Sequence, residues 1–203
     1  MKRLPPFLFA AALAVVLLTG CDRLMSVEQR LDRAQSAFDA GHDSAAMADV
    51  KTVLEREPAN AAGRILLARL TLRLGDATTA RKELERAVQA GVDASTASEL
   101  DQSILLAQGR FADALAAAQK EAGDQSTRRQ LVIVEALMGL GRTDEARKAL
   151  DAALAAAPQD RELQLADARW AWASGSIKEA GEALDRLLAK YPDFARAAFY
   201  RGS

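Results

Sequence analysis

Histidine and cysteine are the side chains best suited to acid–base and nucleophilic chemistry near neutral pH, and this sequence has one of each. Among 203 residues, His42 is the only histidine and Cys21 the only cysteine. A histidine-based metal site or a triad with a histidine base needs partners that these single residues lack. Gly139-Leu140-Gly141 is typical of a helix end and does not follow a strand, as a phosphate-binding loop would. The sequence therefore predicts no enzyme activity, no metal and no cofactor.

The chemistry that Cys21 could undergo is set by what precedes it. Lys2 and Arg3 are followed by an apolar, uncharged run at 5–18. Because a spanning helix needs about 20 residues, this run favours an export signal. The last residue of the run begins the sequence Leu18-Thr19-Gly20-Cys21, which resembles the lipobox of bacterial lipoproteins. The resemblance implies cleavage before Cys21, followed by acylation of its thiol and its new amino group.

This interpretation divides the chain into a signal peptide at 1–20, a lipidated tether at 21–26 and a folded part at 27–203. Acyl chains would anchor the protein to a membrane of a Gram-negative-type cell envelope, facing the periplasm, at about 0.8 kcal/mol per buried CH₂. Asp22 follows the cysteine and resembles the inner-membrane retention signal of enterobacterial lipoproteins. That rule varies between bacteria, so the choice between inner and outer membrane stays open.

The overall charge argues against nucleic acid as a partner. After removal of Lys2 and Arg3, 25 basic residues face 28 acidic ones. A nearly neutral chain has no general attraction to a phosphate backbone. Half of the residues are apolar but only 5% are aromatic, which is typical of closely packed, alanine-rich helices.

The elements that would position a binding surface are repeated along the chain. Five glycines mark the period, with successive spacings of 34, 34, 32 and 34: Gly41, Gly75, Gly109, Gly141 and Gly175. An alanine follows each glycine by five positions: Ala46, Ala80, Ala114, Ala146 and Ala180. A proline follows by seventeen at Pro58, Pro158 and Pro192, whereas Val92 has that place in the second unit.

Each marker has a physical reason in a helix pair. Glycine tolerates the left-handed conformation that ends a first helix, and alanine lets the second helix pack closely on it. Proline would end the second helix and sit in the first turn of the next repeat. A period of about 34 residues is typical of the tetratricopeptide repeat (TPR). The sequence thus predicts an all-α fold, a right-handed superhelical solenoid of antiparallel helix pairs (a TPR-like α-α superhelix).

This register gives five units and an incomplete sixth from Ala195 to Ser203: Val27–Asn60, Ala61–Ala94, Ser95–Gln125, Ser126–Asp160 and Arg161–Phe194. Predicted core stripes in the second unit are Ile65, Leu66, Ala68, Leu70, Leu72 and Leu74, then Ala80, Leu84, Ala87 and Val88. The third unit departs from the pattern, because Gln102 replaces a small residue and the second helix, 111–121, is short. We expect a looser junction near 122–126.

First helices of successive repeats line the concave face of such arrays, which predicts a binding surface. The projected residues are Gln35, Phe38, Arg69, Arg73, Ser103, Leu106, Glu135, Met138, Arg169 and Trp172. Arginines with an aromatic residue along a groove suit a peptide, a carboxylate or a saccharide. The alternative is that these arginines are ordinary exposed charges. Whether Trp172 or Trp170 faces the groove depends on the register.

Three stretches near the start of the folded part resemble one family. They are Val27-Glu28-Gln29-Arg30-Leu31, then 46–60, then 63–92 with its segment Lys82-Glu83-Leu84-Glu85-Arg86-Ala87. Following a lipobox, they resemble the TPR lipoprotein of the PEP-CTERM/exosortase system over about residues 21–95. The resemblance implies a role beside extracellular polysaccharide production and surface protein sorting, and no catalytic residue. Members of that family are far longer than this chain, so the chain is expected to be the first part of a longer array or a truncated product.

The sequence therefore predicts a membrane-anchored scaffold that binds protein or peptide partners in the cell envelope, in exopolysaccharide- or exosortase-associated export. Two alternatives remain open: an envelope-assembly or quality-control lipoprotein, and a structural spacer that self-associates end to end. Contact with polysaccharide is a further open alternative.

Overall fold

The structure, a computed structural model, describes residues 25–120 and 126–202. All regular secondary structure in these ranges is helical, in eleven helices numbered α1 to α11: Val27–Asp39, Asp43–Arg56, Ala61–Arg73, Ala77–Gln89, Ala94–Ala107, Phe111–Lys120, Thr127–Gly139, Thr143–Ala156, Arg161–Ala173, Ile177–Lys190 and Ala195–Gly202. None of these helices has both the length and the apolar composition needed to cross a bilayer. The predicted signal peptide, Cys21, Asp22 and the predicted junction up to residue 125 lie outside the described residues.

The phase-marking glycines lie in the short turns inside helix pairs, as the sequence predicts. All five have a positive φ, from 70° at Gly109 to 88° at Gly175. At the first turn, the N–H of Gly41 donates to the carbonyl of Phe38 (3.0 Å), and the N–H of His42 donates to the carbonyl of Ala37 (2.8 Å). These bonds satisfy the last carbonyls of α1 while the chain reverses.

A sixth glycine has the same conformation where the second unit lacks its proline. Gly91 has a φ of 87°, and Val92 N–H donates to the carbonyl of Ala87 at 3.0 Å. Asp93 then caps α5, because its carboxylate accepts from the N–H of Thr96 at 2.7 Å. The sequence analysis did not predict this second use of glycine, although Gly91-Val92-Asp93 carries the turn and cap signals.

The prolines lie in the turns between pairs and not in a first helical turn, which corrects the prediction. Helix α2 ends at Arg56 and α3 begins at Ala61, so Pro58 belongs to neither helix. Glu57 has φ −131° and ψ 81°, a non-helical conformation, in keeping with the bias away from the helical region that a following proline imposes. Asn60, rather than the proline, starts α3, because its side-chain oxygen accepts from the N–H of Gly63 at 2.8 Å.

Chain contacts divide the structure into two compact units, with the division between Ala97 and Ser98, in the first turn of α5. The first unit buries a core of small and aliphatic side chains: Ala34, Ala46, Val50, Leu54, Leu66 and Leu70. Leu74 and Val88, predicted as core, are 61% and 53% exposed. Leu74 follows the last residue of α3, and Val88 lies at the edge of a stripe that close alanine packing keeps narrow.

Buried ion pairs link the two helices of each pair in the first unit. Arg30 of α1 donates to Asp49 of α2 at 2.9 Å, with both side chains 6% exposed. Arg33 adds a second contact to Asp49 at 2.6 Å. One repeat later, Arg64 of α3 donates to Glu83 of α4 at 2.6 Å. The two pairs occupy equivalent places in consecutive repeats, and the sequence analysis missed them.

The second unit has alanine where the first has these acids. The places of Asp49 and Glu83 are taken by Ala117, Ala149 and Ala183 in the later repeats. Its core is built from aliphatic side chains and the alanines that follow the glycines, including Ala114, Ala146, Leu150 and Leu184. All five marker alanines of the chain are 0% exposed.

Gln102 is the polar exception in this core. The side chain is 0% exposed at the place that Ala68 and Ala168 have in other repeats. Its amide nitrogen donates to Ser98 Oγ at 3.3 Å, while its Oε1 has no hydrogen-bond partner among the described residues. An unpaired buried carbonyl costs free energy, so the third repeat is locally weaker at this contact.

We predict that Asp49→Asn lowers the free energy of unfolding by about 3 kcal/mol, because it leaves Arg30 buried without a counter-charge. Hydrogen bonds from Arg33 foremost, and from Arg30, hold the pKa of Asp49 below its ordinary value. Because this carboxyl pKa is lower in the folded than in the unfolded state, the ionised carboxylate stabilises the fold above the unfolded pKa of about 4. That stabilisation is lost as the pH falls through the pKa of the folded state. The difference between variant and native chain should therefore shrink below about pH 4.

Urea unfolding followed by circular dichroism measures both effects. Asp113→Asn is the matched control, because Asp113 pairs with Arg110 where both side chains are 55% exposed. It should leave the free energy of unfolding almost unchanged. Equal losses in the two variants would contradict a structural role for the buried pair.

Candidate binding groove

A groove of about 850 Å³ opens in the second unit, along the first helices of its repeats. It is lined by Ser103, Leu106 and Ala107 of α5, by Phe111 of α6, by residues of α7 and α9, and by Arg196 of α11. Five of the predicted concave-face residues line it: Ser103, Leu106, Glu135, Met138 and Arg169. First helices carry these residues because their opposite faces pack on the second helices.

The floor of the groove is apolar. Val132 and Leu165 are buried, and beside them lie the partly buried side chains of Leu106, Leu131 and Met138. Methionine adapts its shape at low cost, and leucine offers a firm apolar surface. This floor can bury aliphatic or aromatic side chains of a ligand, at about 25 cal/mol per Å².

Phe111 forms one end of this floor through a contact that only glycine permits. Its ring lies against Gly139, the last residue of α7, and a Cβ at that position would lie 2.4 Å from the ring carbons. No real side chain could adopt that distance without moving the ring. The two glycines of the helix-ending Gly139-Leu140-Gly141 therefore have different roles. Gly139 leaves room for the ring of Phe111, and Gly141 provides the positive φ of the turn.

Charged side chains on the walls are paired with each other. Arg169 Nη1 lies 2.7 Å from Glu135 Oε1, and Arg196 Nη1 lies 2.6 Å from Glu162 Oε2. Arg128 lies 3.7 Å from the carboxylate of Glu99 and also donates to its backbone carbonyl. The groove arginines are therefore already engaged by carboxylates from neighbouring first helices.

The structure shows that neither tryptophan faces the groove. Trp172 is 42% exposed and does not line the groove. Trp170 is half-buried against the core beside Leu150, and the guanidinium of Arg147 lies 4.8 Å from its ring centroid. Trp170 is thus the core aromatic, and Trp172 offers an exposed ring outside the groove.

The other predicted residues belong to the first unit and form contacts there. Arg73 lies 3.4 Å above the ring centroid of Phe38 and 2.8 Å from the carboxylate of Asp43. Gln35 donates to Asp39 at 2.8 Å. Arg69 is half-buried on α3. Arg73 and Phe38 thus form a packed pair with a neutralised charge, rather than an open cation.

No metal-binding cluster of three or more His, Cys, Asp or Glu side chains occurs in the ranges 25–120 and 126–202. His42 is exposed at the start of α2, where its side chain caps no helix N–H.

Comparison with known proteins identifies the family of these repeats. A family model described as tetratricopeptide repeat matches residues 31–98, 67–127 and 131–193, most of the sequence. The chain belongs to the tetratricopeptide-repeat family. The predicted fold class, an all-α TPR solenoid, is confirmed.

Solved TPR structures share this fold at low sequence identity. A thermophilic TPR protein from Thermus thermophilus superposes with a TM-score of 0.71 at 18% identity, over 87% of this chain and 97% of the other. A TPR protein from Parabacteroides merdae gives 0.74 at 10% identity, over 87% and 70%. YrrB, described as a TPR protein with an unusual peptide-binding site, gives 0.53 at 17% identity, over 88% and 93%. Among curated proteins, none matches the sequence significantly.

The TPR register explains why much of the groove lining was not predicted from the sequence. Arg128, Glu162 and Arg196 recur at the same place in successive repeats and occupy the first turn of α7, α9 and α11. The concave-face residues predicted from the sequence lie only in the later turns of the first helices. The one-repeat offset between Glu135 and Arg169 was visible in the sequence and indicates the ion pair that the structure shows.

We predict opposite effects for two glycine-to-alanine substitutions in helices of this TPR array. Gly139→Ala should destabilise the chain by about 1–3 kcal/mol and displace Phe111 from the groove floor. Gly181 of α10 has nothing within 4 Å of an added Cβ, so Gly181→Ala should stabilise by about 0.5–1 kcal/mol. Thermal unfolding of both variants measures the signs. A neutral or stabilising Gly139→Ala would contradict the close ring contact.

Proposed function

We propose that this TPR protein is an interaction scaffold whose second unit binds a peptide segment of a partner protein in the groove along α5, α7, α9 and α11. The observation that carries the proposal is the apolar floor of the 850 Å³ groove between paired charges. A segment with apolar side chains can bury them on the exposed parts of Leu106, Leu131 and Met138, which line the groove. The peptide-binding site named for YrrB, a protein of the same fold, supports this choice of ligand.

Met138→Lys should weaken peptide binding about tenfold, because it places an unpaired ammonium group on the apolar floor. The ligands are peptides selected on the full chain from a random display library, and their affinities are measured by fluorescence anisotropy. Ile177→Lys is the matched control, since Ile177 is 52% exposed in the same unit and does not line the groove. Selected peptides that bind Met138→Lys as tightly as the native chain would refute the groove as the site.

We further propose that the scaffold is a lipoprotein, anchored through acyl chains on Cys21 and facing the periplasm. The support is the Leu-Thr-Gly-Cys sequence behind an apolar segment that follows two basic residues. The resemblance over residues 21–95 favours work beside exopolysaccharide or exosortase-associated export. In that setting, the groove would hold a segment of another envelope protein.

Cells that express the chain with labelled palmitate should incorporate the label, and Cys21→Ser should abolish it, because Cys21 is the only thiol in the sequence. Thr19→Ser keeps a small residue before the cleavage site and should retain the label. Label in the Cys21→Ser chain, or its absence from the native chain, would exclude lipidation at this position.

A further inference from the structure

The acidic and basic side chains that line the groove are equal in number. Three are acidic, Glu135, Asp160 and Glu162, and three are basic, Arg128, Arg169 and Arg196. Asp160 also caps α9, accepting from the N–H of Glu162 at 2.9 Å and of Leu163 at 3.1 Å. The groove thus combines an apolar floor with walls of compensated charge.

The pairing is specific to neighbouring repeats. Glu135 and Arg169 hold the same place in consecutive first helices, one repeat apart, and so do Glu162 and Arg196. In each pair the carboxylate belongs to the earlier repeat and the guanidinium to the next. The Glu135–Arg169 pair is partly buried, with side chains 33% and 30% exposed, whereas in the second pair Glu162 is 30% exposed and Arg196 is 56% exposed.

We infer that Glu135 and Glu162 determine the specificity of the groove: by neutralising Arg169 and Arg196, they make it accept apolar peptide segments without net charge and reject acidic ones. The inference rests on the peptide-binding function proposed above and names the class of ligand. It assigns the two glutamates a role toward the ligand that is separate from holding the fold.

The physical reason is that a charged ligand can form an ion pair in the groove only by breaking one, so binding gains no ion pair. A ligand carboxylate that reaches Arg169 must displace Glu135, so one ion pair replaces another. The displaced glutamate is then left without a counter-charge in a partly desolvated groove, which opposes binding. A lysine-rich ligand meets the mirror problem, because its ammonium groups must displace Arg169 or Arg196 from the glutamates. Burial of apolar side chains on the floor is left as the net gain.

Arg169 would stay in place if Glu135 lost its charge. The guanidinium of Arg169 lies 5.1 Å from the ring centroid of Tyr200, a cation–π contact that is independent of Glu135. Substitution of glutamate by glutamine keeps the size and a hydrogen-bond acceptor. The double variant Glu135→Gln/Glu162→Gln therefore presents the same groove with two uncompensated positive charges.

The test uses three synthetic peptides with a shared leucine-phenylalanine-leucine centre, flanked by serines, glutamates or lysines. The full native chain should bind the serine-flanked peptide and reject the glutamate-flanked one. In Glu135→Gln/Glu162→Gln, affinity for the glutamate-flanked peptide should rise about tenfold at low salt, as expected for two newly available partly exposed pairs. That gain should vanish near 0.5 M salt, where the screening length is only about 4 Å.

The matched control is Glu145→Gln/Glu182→Gln, which changes the net charge equally. Glu145 and Glu182 lie on second helices and pair with Arg142 and Arg186, and none of these four residues lines the groove. This control should leave the affinity for the glutamate-flanked peptide near the native value. If thermal unfolding shows that the double variant is misfolded, the single variants Glu135→Gln and Glu162→Gln replace it. Each single variant should show a smaller gain in affinity for the glutamate-flanked peptide.

The outcomes separate the two proposals. If the native chain binds the glutamate-flanked peptide as tightly as the serine-flanked one, or if the control variant gains as much as the groove variant, the specificity role is overturned. In either case, loss of binding in Met138→Lys would still support the groove as the site. If none of the three peptides binds any variant, the peptide-binding function and the inference both fail.

Discussion

Close approach of paired helices is the constraint on which the structure depends. Two helices joined by a short turn can share a core only if small side chains stand where their backbones come nearest. The alanine five positions after each turn glycine supplies this condition, and all five are inaccessible to solvent. Because the inner faces are occupied in this way, the outer faces of the first helices remain available for binding. The groove of the second unit is therefore a product of the same packing that holds each pair together.

The two units meet this constraint with different chemistry. In the first unit, Arg30–Asp49 and Arg64–Glu83 link the helices of a pair through buried charges. In the second unit, alanines replace these acids, and ion pairs instead connect successive first helices across the groove. The ion pairs thus lie inside the helix pairs of the first unit, and along the groove in the second. This difference explains why the two sets of predicted concave-face residues have different surroundings.

Much of the fold could be predicted because its markers are backbone requirements. A positive φ at Gly41 or a buried Ala146 follows from local geometry, which the regular period of the repeats makes visible. The predicted place of the prolines was wrong, because the non-helical residue before Pro58 already ends the helix and Asn60 starts the next one. The prediction that Leu74 and Val88 lie in the core was wrong, because apolar character alone does not define the width of a buried stripe. The tetratricopeptide repeat and the helix pairs could be predicted from the sequence, while the exact width of each buried face could not.

The candidate groove was predicted only in part, since side-chain partners depend on distances between repeats. Met138 and Glu135 were found from their place on a first helix, and Arg169 was found as a cation without its counter-charge. Phe111 was missed because its position on the floor depends on the absence of a side chain at Gly139, at the far end of the next helix. Such a contact has no periodic signal, so the sequence could not indicate it.

The buried ion pairs of the first unit have a consequence for modularity. TPR units are interchangeable in principle, because each contacts mainly its neighbours. Helix α1 or α3 carries one half of a charge pair whose other half lies on the following helix, so neither can be grafted alone into a later repeat. Facing Ala149 or Ala183, the transplanted arginine would be a buried cation without an anion. In the first unit, the smallest segment that can be transferred intact is therefore the helix pair. In the second unit, single helices could be exchanged more freely.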